Sequence, residues 1–150
     1  MKIRRYEDRD REPALALAPR LVEGIAPWRD EKAARASYID TVAWSIDHGD
    51  DDDMAVFVAE DDEGFAGIVT VKEKGHFTGQ KDAYVEGLAV QERVARTGLG
   101  TKLMDACEEW GRRRGHRRLI IKTGAGNKVA REFYASIGYE EEEVKLSKAL

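Results

Sequence analysis

The run Glu86-Gly-Leu-Ala-Val-Gln-Glu-Arg-Val-Ala-Arg-Thr-Gly-Leu-Gly-Thr-Lys-Leu-Met104 reads as a strand, a glycine-punctuated loop and a helix start without interruption. This is the architecture of a phosphate cradle: Gly98 and Gly100 let the backbone approach a ligand closely, and the unsatisfied N–H groups of the helix that follows point at an anion. A plain strand-to-helix turn would explain the two glycines equally well.

A second unit of the same kind lies downstream. Thr123-Gly-Ala-Gly-Asn-Lys-Val-Ala-Arg-Glu-Phe-Tyr134 supplies a strand end, a glycine turn and a helix. Asn127, Ala130 and Tyr134 share one face of that helix.

Together the two segments resemble the GNAT superfamily of acyl-CoA-dependent N-acetyltransferases. The resemblance is carried by the strand Tyr84-Val-Glu-Gly-Leu-Ala-Val90, the loop ending Gly98-Leu-Gly100, and the helix bearing Asn127, Ala130 and Tyr134, closed by Ile137-Gly-Tyr139. It covers residues 54 to 150 well and the first fifty by pattern alone. One position departs: where the family usually carries Arg or Gln before the loop glycines, this chain has Ala95, followed by Arg96. Main-chain N–H groups do most of the diphosphate binding in such loops, so the expectation is retained function with weaker cofactor affinity.

The resemblance implies an α/β fold. The expected form is a single GNAT-like domain over residues 1–150, with a mixed central sheet, antiparallel N-terminal strands, a splayed parallel pair (strands 4 and 5) and about four flanking helices. From the residues themselves, Lys2 to Tyr6 reads as a first strand. A helix from about Glu12 places Ala14, Leu17, Leu21 and Ile25 on one face, with Pro19 breaking or kinking it. The hinge Ala26-Pro-Trp-Arg29 leads to a helix from Asp30 to Asp47, with Ile39, Val42, Ala43 and Ile46 inward. Strands at Met54–Glu60, Phe65–Glu73 and Ala83–Val90 should form an antiparallel meander. A helix from 98 to about 114, a strand from Arg118 to Thr123, a helix from about 127 to 137 stopped by Gly138, and an extended strand from Tyr139 to Lys148 complete the expectation.

Composition narrows the function classes. A chain of 150 residues buries one substantial core without help from metal or disulfide. The lone Cys107 excludes an internal disulfide and falls on the apolar stripe Leu99, Leu103, Cys107, Trp110, where a buried thiol is the ordinary reading. Three scattered histidines and one cysteine give no metal-ligand spacing, so no metal is expected. The start Met-Lys-Ile-Arg-Arg-Tyr and the lack of a long apolar run suggest a soluble cytoplasmic protein with no membrane partner. A net charge of -4 argues against general nucleic-acid binding, and the basic run Arg112 to Arg118 reads as a solvated helix end that complements the macrodipole.

By the same resemblance, acetyl-CoA is the cosubstrate. Its pantetheine arm would lie between the splayed strands, against the main chain of Leu88, Ala89 and Val90. Its diphosphate would meet the N–H groups of Ala95, Arg96, Thr97, Gly98, Leu99, Gly100 and Thr101, and Asn127 would contact the cofactor, although a helix N-cap fits Asn127 as well. Deprotonating a lysine-like acceptor of pKa about 10.4 at pH 7 costs roughly 4.6 kcal/mol, which one carboxylate can manage, and Glu86 is the candidate base. A structural acceptor is the other reading of Glu86. Tyr134 is the candidate acid, since a phenol stays protonated at neutral pH and can serve a departing thiolate. The expected acceptor is a primary amine on a small molecule or peptide, with acidic loops favouring a cationic one, and a homodimer is compatible with the chain. The rival reading is a non-catalytic acyl-CoA-binding or sensing module of the same fold, motivated by Ala95.

Overall fold

The computed structural model describes residues 1–150. Strand β1 (Lys2–Arg5) leads through a short 3₁₀ turn into helix α1 (Arg11–Leu17), which gives way to a 3₁₀ turn over Ala18–Val22. Pro19 in that turn cannot supply the N–H that a continuing α-helix needs, so the expected break is present. Helix α2 (Glu31–Asp47) begins at Asp30, whose carboxylate accepts the N–H of Ala33 at 2.9 Å. Then come β2 (Met54–Asp61), β3 (Gly64–Gly75), β4 (Lys81–Val90), α3 (Leu99–Arg113), β5 (Leu119–Ile121) and α4 (Lys128–Ser136).

The five strands form one mixed sheet in sequence order, antiparallel from β1 to β4, with β5 parallel to β4. Helix α3 is the crossover that a parallel neighbour requires. Both faces of the sheet are covered, which explains the nearly continuous apolar run of β2 and β3. On one face Ala55, Val69, Val71, Ala83 and Val85 pack against Leu99, Leu103, Met104 and Cys107 of α3. On the other, Val56, Val58, Ile68 and Ala89 pack against Ala14, Leu17, Val42 and Ile46 of α1 and α2. Arg4 ties the first strand down, with a bidentate pair to Asp10 at 2.7 and 2.8 Å and a bond to Glu60 at 2.7 Å.

Three expectations need correction. The segment from Tyr139 to Lys148 forms no strand: residues 139–150 carry neither helix nor strand, and every residue from Glu140 on is exposed. Four glutamates in a row at 140–143 repel one another in any strand, so pairing has to be won from Val144 and Leu146 alone. Helix α4 therefore crosses over to no further strand, leaving α3 as the only crossover helix. The first helix does not reach Ile25 either, because Gly24 takes a left-handed φ of 83° and turns the chain.

Candidate active site

Strand β4 changes its surroundings halfway along. Its first half pairs with β5 through Ala83↔Leu119, Tyr84↔Ile120 and Val85↔Ile121, and there the pairing stops. From Glu86 to Val90, β4 has β3 on one side and no strand on the other. The register against β3 shifts at the same place: Val71 faces Val85 and Thr70 faces Gly87, which leaves Glu86 as the extra residue of a β-bulge. The bulge reverses the alternation of the strand. Ala83 and Val85 before it, and Leu88 and Val90 after it, all turn to the α3 face. The parallel pair is thus parted where the expectation of a splay put it, and alternate N–H and C=O groups of Leu88, Ala89 and Val90 face the open edge.

At the end of β4 a short 3₁₀ turn, Glu92–Val94, leads into the glycine loop. Arg96 and Gly98 both adopt left-handed φ, 66° and 85°, bending the main chain into a concavity at the start of α3. The N–H of Ala95 is already bonded to Glu92 O at 3.1 Å, and that of Lys102 to Gly98 O at 3.2 Å. Between them, the N–H groups of Arg96, Thr97, Gly98, Leu99, Gly100 and Thr101 find no acceptor in the protein. Six free donors thus lie at the positive end of a 15-residue helix, the chemistry that favours an anion. The side chains contribute less: Thr97 donates its hydroxyl to Val94 O at 2.7 Å, and Arg93 is held by Asp61 at 2.6 and 3.0 Å.

Helix α4 abuts this cradle. A Cβ on Gly100 would stand 3.2 Å from the Phe133 ring, so a larger residue here would make the ring give by a few tenths of an ångström. The next residue, Tyr134, lies half-buried with its ring 5.1 Å from Phe133 and 5.8 Å from Tyr139. Burial, with a smaller contribution from the adjacent Cys107, pushes its phenol up to about 12. Asn127 caps α4 by accepting the N–H of Ala130 at 3.1 Å, and its amide donates to Glu23 O at 3.3 Å. A Cβ on Gly24 would overlap Asn127, so the loop after the first helix crosses to the β5–α4 turn at close range. Both polar atoms of Asn127 are engaged within the protein.

Glu86 points to the opposite face. Its carboxylate is paired with Lys72, whose ammonium also lies 5.9 Å from the Trp44 ring of α2. Tyr84 stands beside it: burial, then the charges of Glu86 and Tyr38, raise the Tyr84 phenol above its ordinary range. Gly87 is packed under Leu21, where a Cβ would meet Leu21 Cδ1 at 3.0 Å. The pairing of β4 with β5 therefore ends between two groups of residues, with the glycine-loop amides and Tyr134 on the α3 face and Glu86 with Lys72, Tyr84 and Trp44 on the other. Sequence reading singled out Glu86 as a candidate base but not its neighbours Lys72 and Tyr84. Their signal was available in the alternation of β3 and β4, where Ile68, Thr70 and Lys72 share the α2 face. His76 sits in the β3–β4 hairpin beyond Lys81, about 16 Å from Glu86 along the strand at about 3.3 Å per residue, too far to join it.

The sequence model of the acetyltransferase (GNAT) family matches residues 18–139, the part of the chain that holds the parted strands, the amide cradle and α4. The chain belongs to this family. N-alpha-acetyltransferase 30 of Schizosaccharomyces pombe is 30% identical over 83 residues, 55% of each protein. An uncharacterised N-acetyltransferase of Methanocaldococcus jannaschii is 43% identical over 47 residues, 31% of this chain and 21% of that protein. The first match spans about half of its relative and the second about a fifth. Among solved structures, the aminoglycoside 6'-N-acetyltransferase AAC(6')-IG of Acinetobacter haemolyticus superposes with a TM-score of 0.74 at 17% identity, over 100% of this chain and 99% of that one. AAC(6')-Iy bound to the bisubstrate analogue CoA-S-monomethyl-acetylneamine gives 0.74 at 19% identity, over 99% and 97%. These two likenesses establish the GNAT fold. No helix of this GNAT protein is long and apolar enough to cross a membrane.

Proposed function

We propose that residues 1–150 form one catalytic domain that transfers an acetyl group from acetyl-CoA to a primary amine of a small molecule or peptide by direct attack, in the cytoplasm. The observation that carries this reading is the end of the β4–β5 pairing at Glu86, between six unpaired loop amides and a paired carboxylate. The six N–H groups from Arg96 to Thr101 would hold the diphosphate, with Ala95 already committed to its own turn. The open edge of Leu88, Ala89 and Val90 would bond the pantetheine amides, and the thioester would reach the end of the pairing at Glu86.

Glu86 would receive the proton of the acceptor ammonium. Lys72 already seats an ammonium on that carboxylate, with an aromatic face nearby, so the pocket's chemistry suits an amine; the acceptor would take the position Lys72 holds. The acidic runs at Asp50–Asp53 and Asp61–Glu63 favour a cationic acceptor in the long-range field. Relatives named for aminoglycosides and for α-amines point to the same reaction class. At about 12, the Tyr134 phenol lies well above a thiol near 8.5, so outright proton transfer to the thiolate would be strongly uphill. Tyr134 would therefore stay protonated and donate a hydrogen bond to the developing thiolate, while one acceptor proton goes to Glu86 and the second, lost by the nitrogen as the C–S bond breaks, ends on the CoA sulfur.

Thiol release from acetyl-CoA should be followed with polyamine, aminoglycoside and lysine-peptide acceptors, for the native chain and for Glu86→Gln. The expected result is acceptor-dependent release. In the variant, the rate falls most at neutral pH and partly recovers as pH approaches the amine pKa, because the free base then needs no acceptor for its proton. A loss that is equal at every pH would remove Glu86 as base. The Lys72–Glu86 pair also favours a second reading, a binding module whose carboxylate never becomes free. Acetyl-CoA binding without release for any amine would select it.

A further inference from the structure

The basic run at the end of α3 divides into two groups. Arg112 and Arg113 pair with Glu108 and Glu109 one turn back, and Arg114 pairs with Glu73 of β3 at 2.6 Å. Arg117 and Arg118, which follow the left-handed turn at Gly115, pair with no carboxylate. They line a cavity of about 270 Å³ with Gly115, Gln80, Lys81 and Asp82, at the far end of α3 from the glycine loop.

The walls of this cavity are held in place. His116 Nδ1 donates to Lys81 O at 3.1 Å, and the N–H of Ala83 donates to Arg118 O at 3.1 Å. The register Ala83↔Leu119 sets Asp82 beside Arg118, and because Ala83 and Leu119 face α3, Asp82 and Arg118 share the opposite face. Asp82 is 9% exposed, yet its carboxylate makes no hydrogen bond or ion pair within the protein. Lys74, its partner across the β3–β4 ladder, is turned onto the Tyr84 ring at 4.2 Å. A buried carboxylate without a partner is costly. Three cations line the same cavity without closing on it, which leaves room for a ligand between them.

We infer that this cavity binds hydrogen phosphate, with Lys81, Arg117 and Arg118 on the phosphate oxygens and Asp82 accepting the remaining O–H. The cations supply the attraction, and the guanidinium fork matches the spacing of phosphate oxygens. Asp82 supplies the selectivity. An ionised carboxylate only accepts hydrogen bonds, so it repels sulfate, which has no proton to give, and favours an anion that keeps one. Asp82 lies on β4 and Arg117 and Arg118 lead into β5, so the bound anion ties the parallel pair together about 13 Å before Glu86, at about 3.3 Å per residue. None of these residues is assigned to acetyl-CoA or to acetyl transfer, so the two readings stand or fall separately.

Amide shifts of a ¹⁵N-labelled sample test this residue by residue. At about pH 8 a phosphate monoester has lost its last acidic proton, which leaves near pH 6, whereas inorganic phosphate retains one. Inorganic phosphate should shift the amides of residues 80–83 and 115–118, and sulfate and methyl phosphate at equal ionic strength should bind there about tenfold more weakly. The loop amides of residues 96–101 face no such carboxylate and should respond to all three anions, which keeps the two sites apart. Asp82→Asn should abolish the preference among the three. Arg118→Gln should weaken phosphate about tenfold at residues 80–83 while the resonances of β2 and β3 stay unmoved. Equal responses to phosphate and sulfate at residues 80–83, no response there at millimolar phosphate, or a preference that survives Asp82→Asn would overturn the inference.

Discussion

The meander from β1 to β4 and the unit formed by β5 and α4 use similar residues but are finished differently. In the meander most apolar positions are covered, and Ala55, Val58, Val69 and Val71 are completely buried. In the β5–α4 unit, Leu119, Ile120 and Ile121 are only half-buried, and Val129 is 66% exposed. The difference follows from connectivity. Hairpins bring the partner strand with them, whereas β5 depends on a crossover helix on one side and on whatever follows α4 on the other. The candidate site lies on the boundary, where a rigid sheet parts from a lightly held neighbour.

That contrast can be broken from either side. Leu103→Ala, within the buried α3 stripe, should destabilise the protein by about 3 kcal/mol, measured by denaturant unfolding, because it leaves a cavity among fully packed residues. Tyr134→Phe should lower turnover about 10²-fold, equivalent to about 2.7 kcal/mol, while leaving the acetyl-CoA dissociation constant and the melting temperature almost unchanged. A fully active Phe variant would show that Tyr134 only packs against Phe133 and Tyr139. Gly98→Ala should cost about 1 kcal/mol of stability, since its φ of 85° disfavours any side chain, and should weaken acetyl-CoA binding by re-aiming the loop amides. Ile121→Ala should cost about 1 kcal/mol or less, reflecting its partial exposure. An Ile121→Ala loss as large as that of Leu103→Ala would mean that β5 is as firmly held as the meander.

Much of this was legible in the residues. The β-rich runs between Met54 and Val90, separated by turn residues, gave the meander, and the glycine loop gave the crossover. The spacing of Asn127 and Tyr134 gave the face of α4. What escaped was set by neighbours distant in sequence. Lys72 reaches Glu86 across a hairpin, so its role depends on a strand register and a bulge that no local pattern announces. Gly24 lies inside the stretch assigned to the first helix, and its close approach to Asn127 depends on a segment a hundred residues away. The tail has the alternation of a strand in Val144 and Leu146 but pairs with none, and that too is decided by neighbours outside it.

Hydrogen exchange with and without acetyl-CoA tests the central claim most directly. The six N–H groups from Arg96 to Thr101 have no acceptor in the protein and should exchange rapidly in the free chain. Saturating acetyl-CoA should protect these six, together with outward-facing amides between Glu86 and Val90, while β1 and β2 exchange as before. Binding that leaves residues 96–101 as fast as in the free chain, or protects the meander instead, would contradict a cofactor site at the parting of β4 and β5.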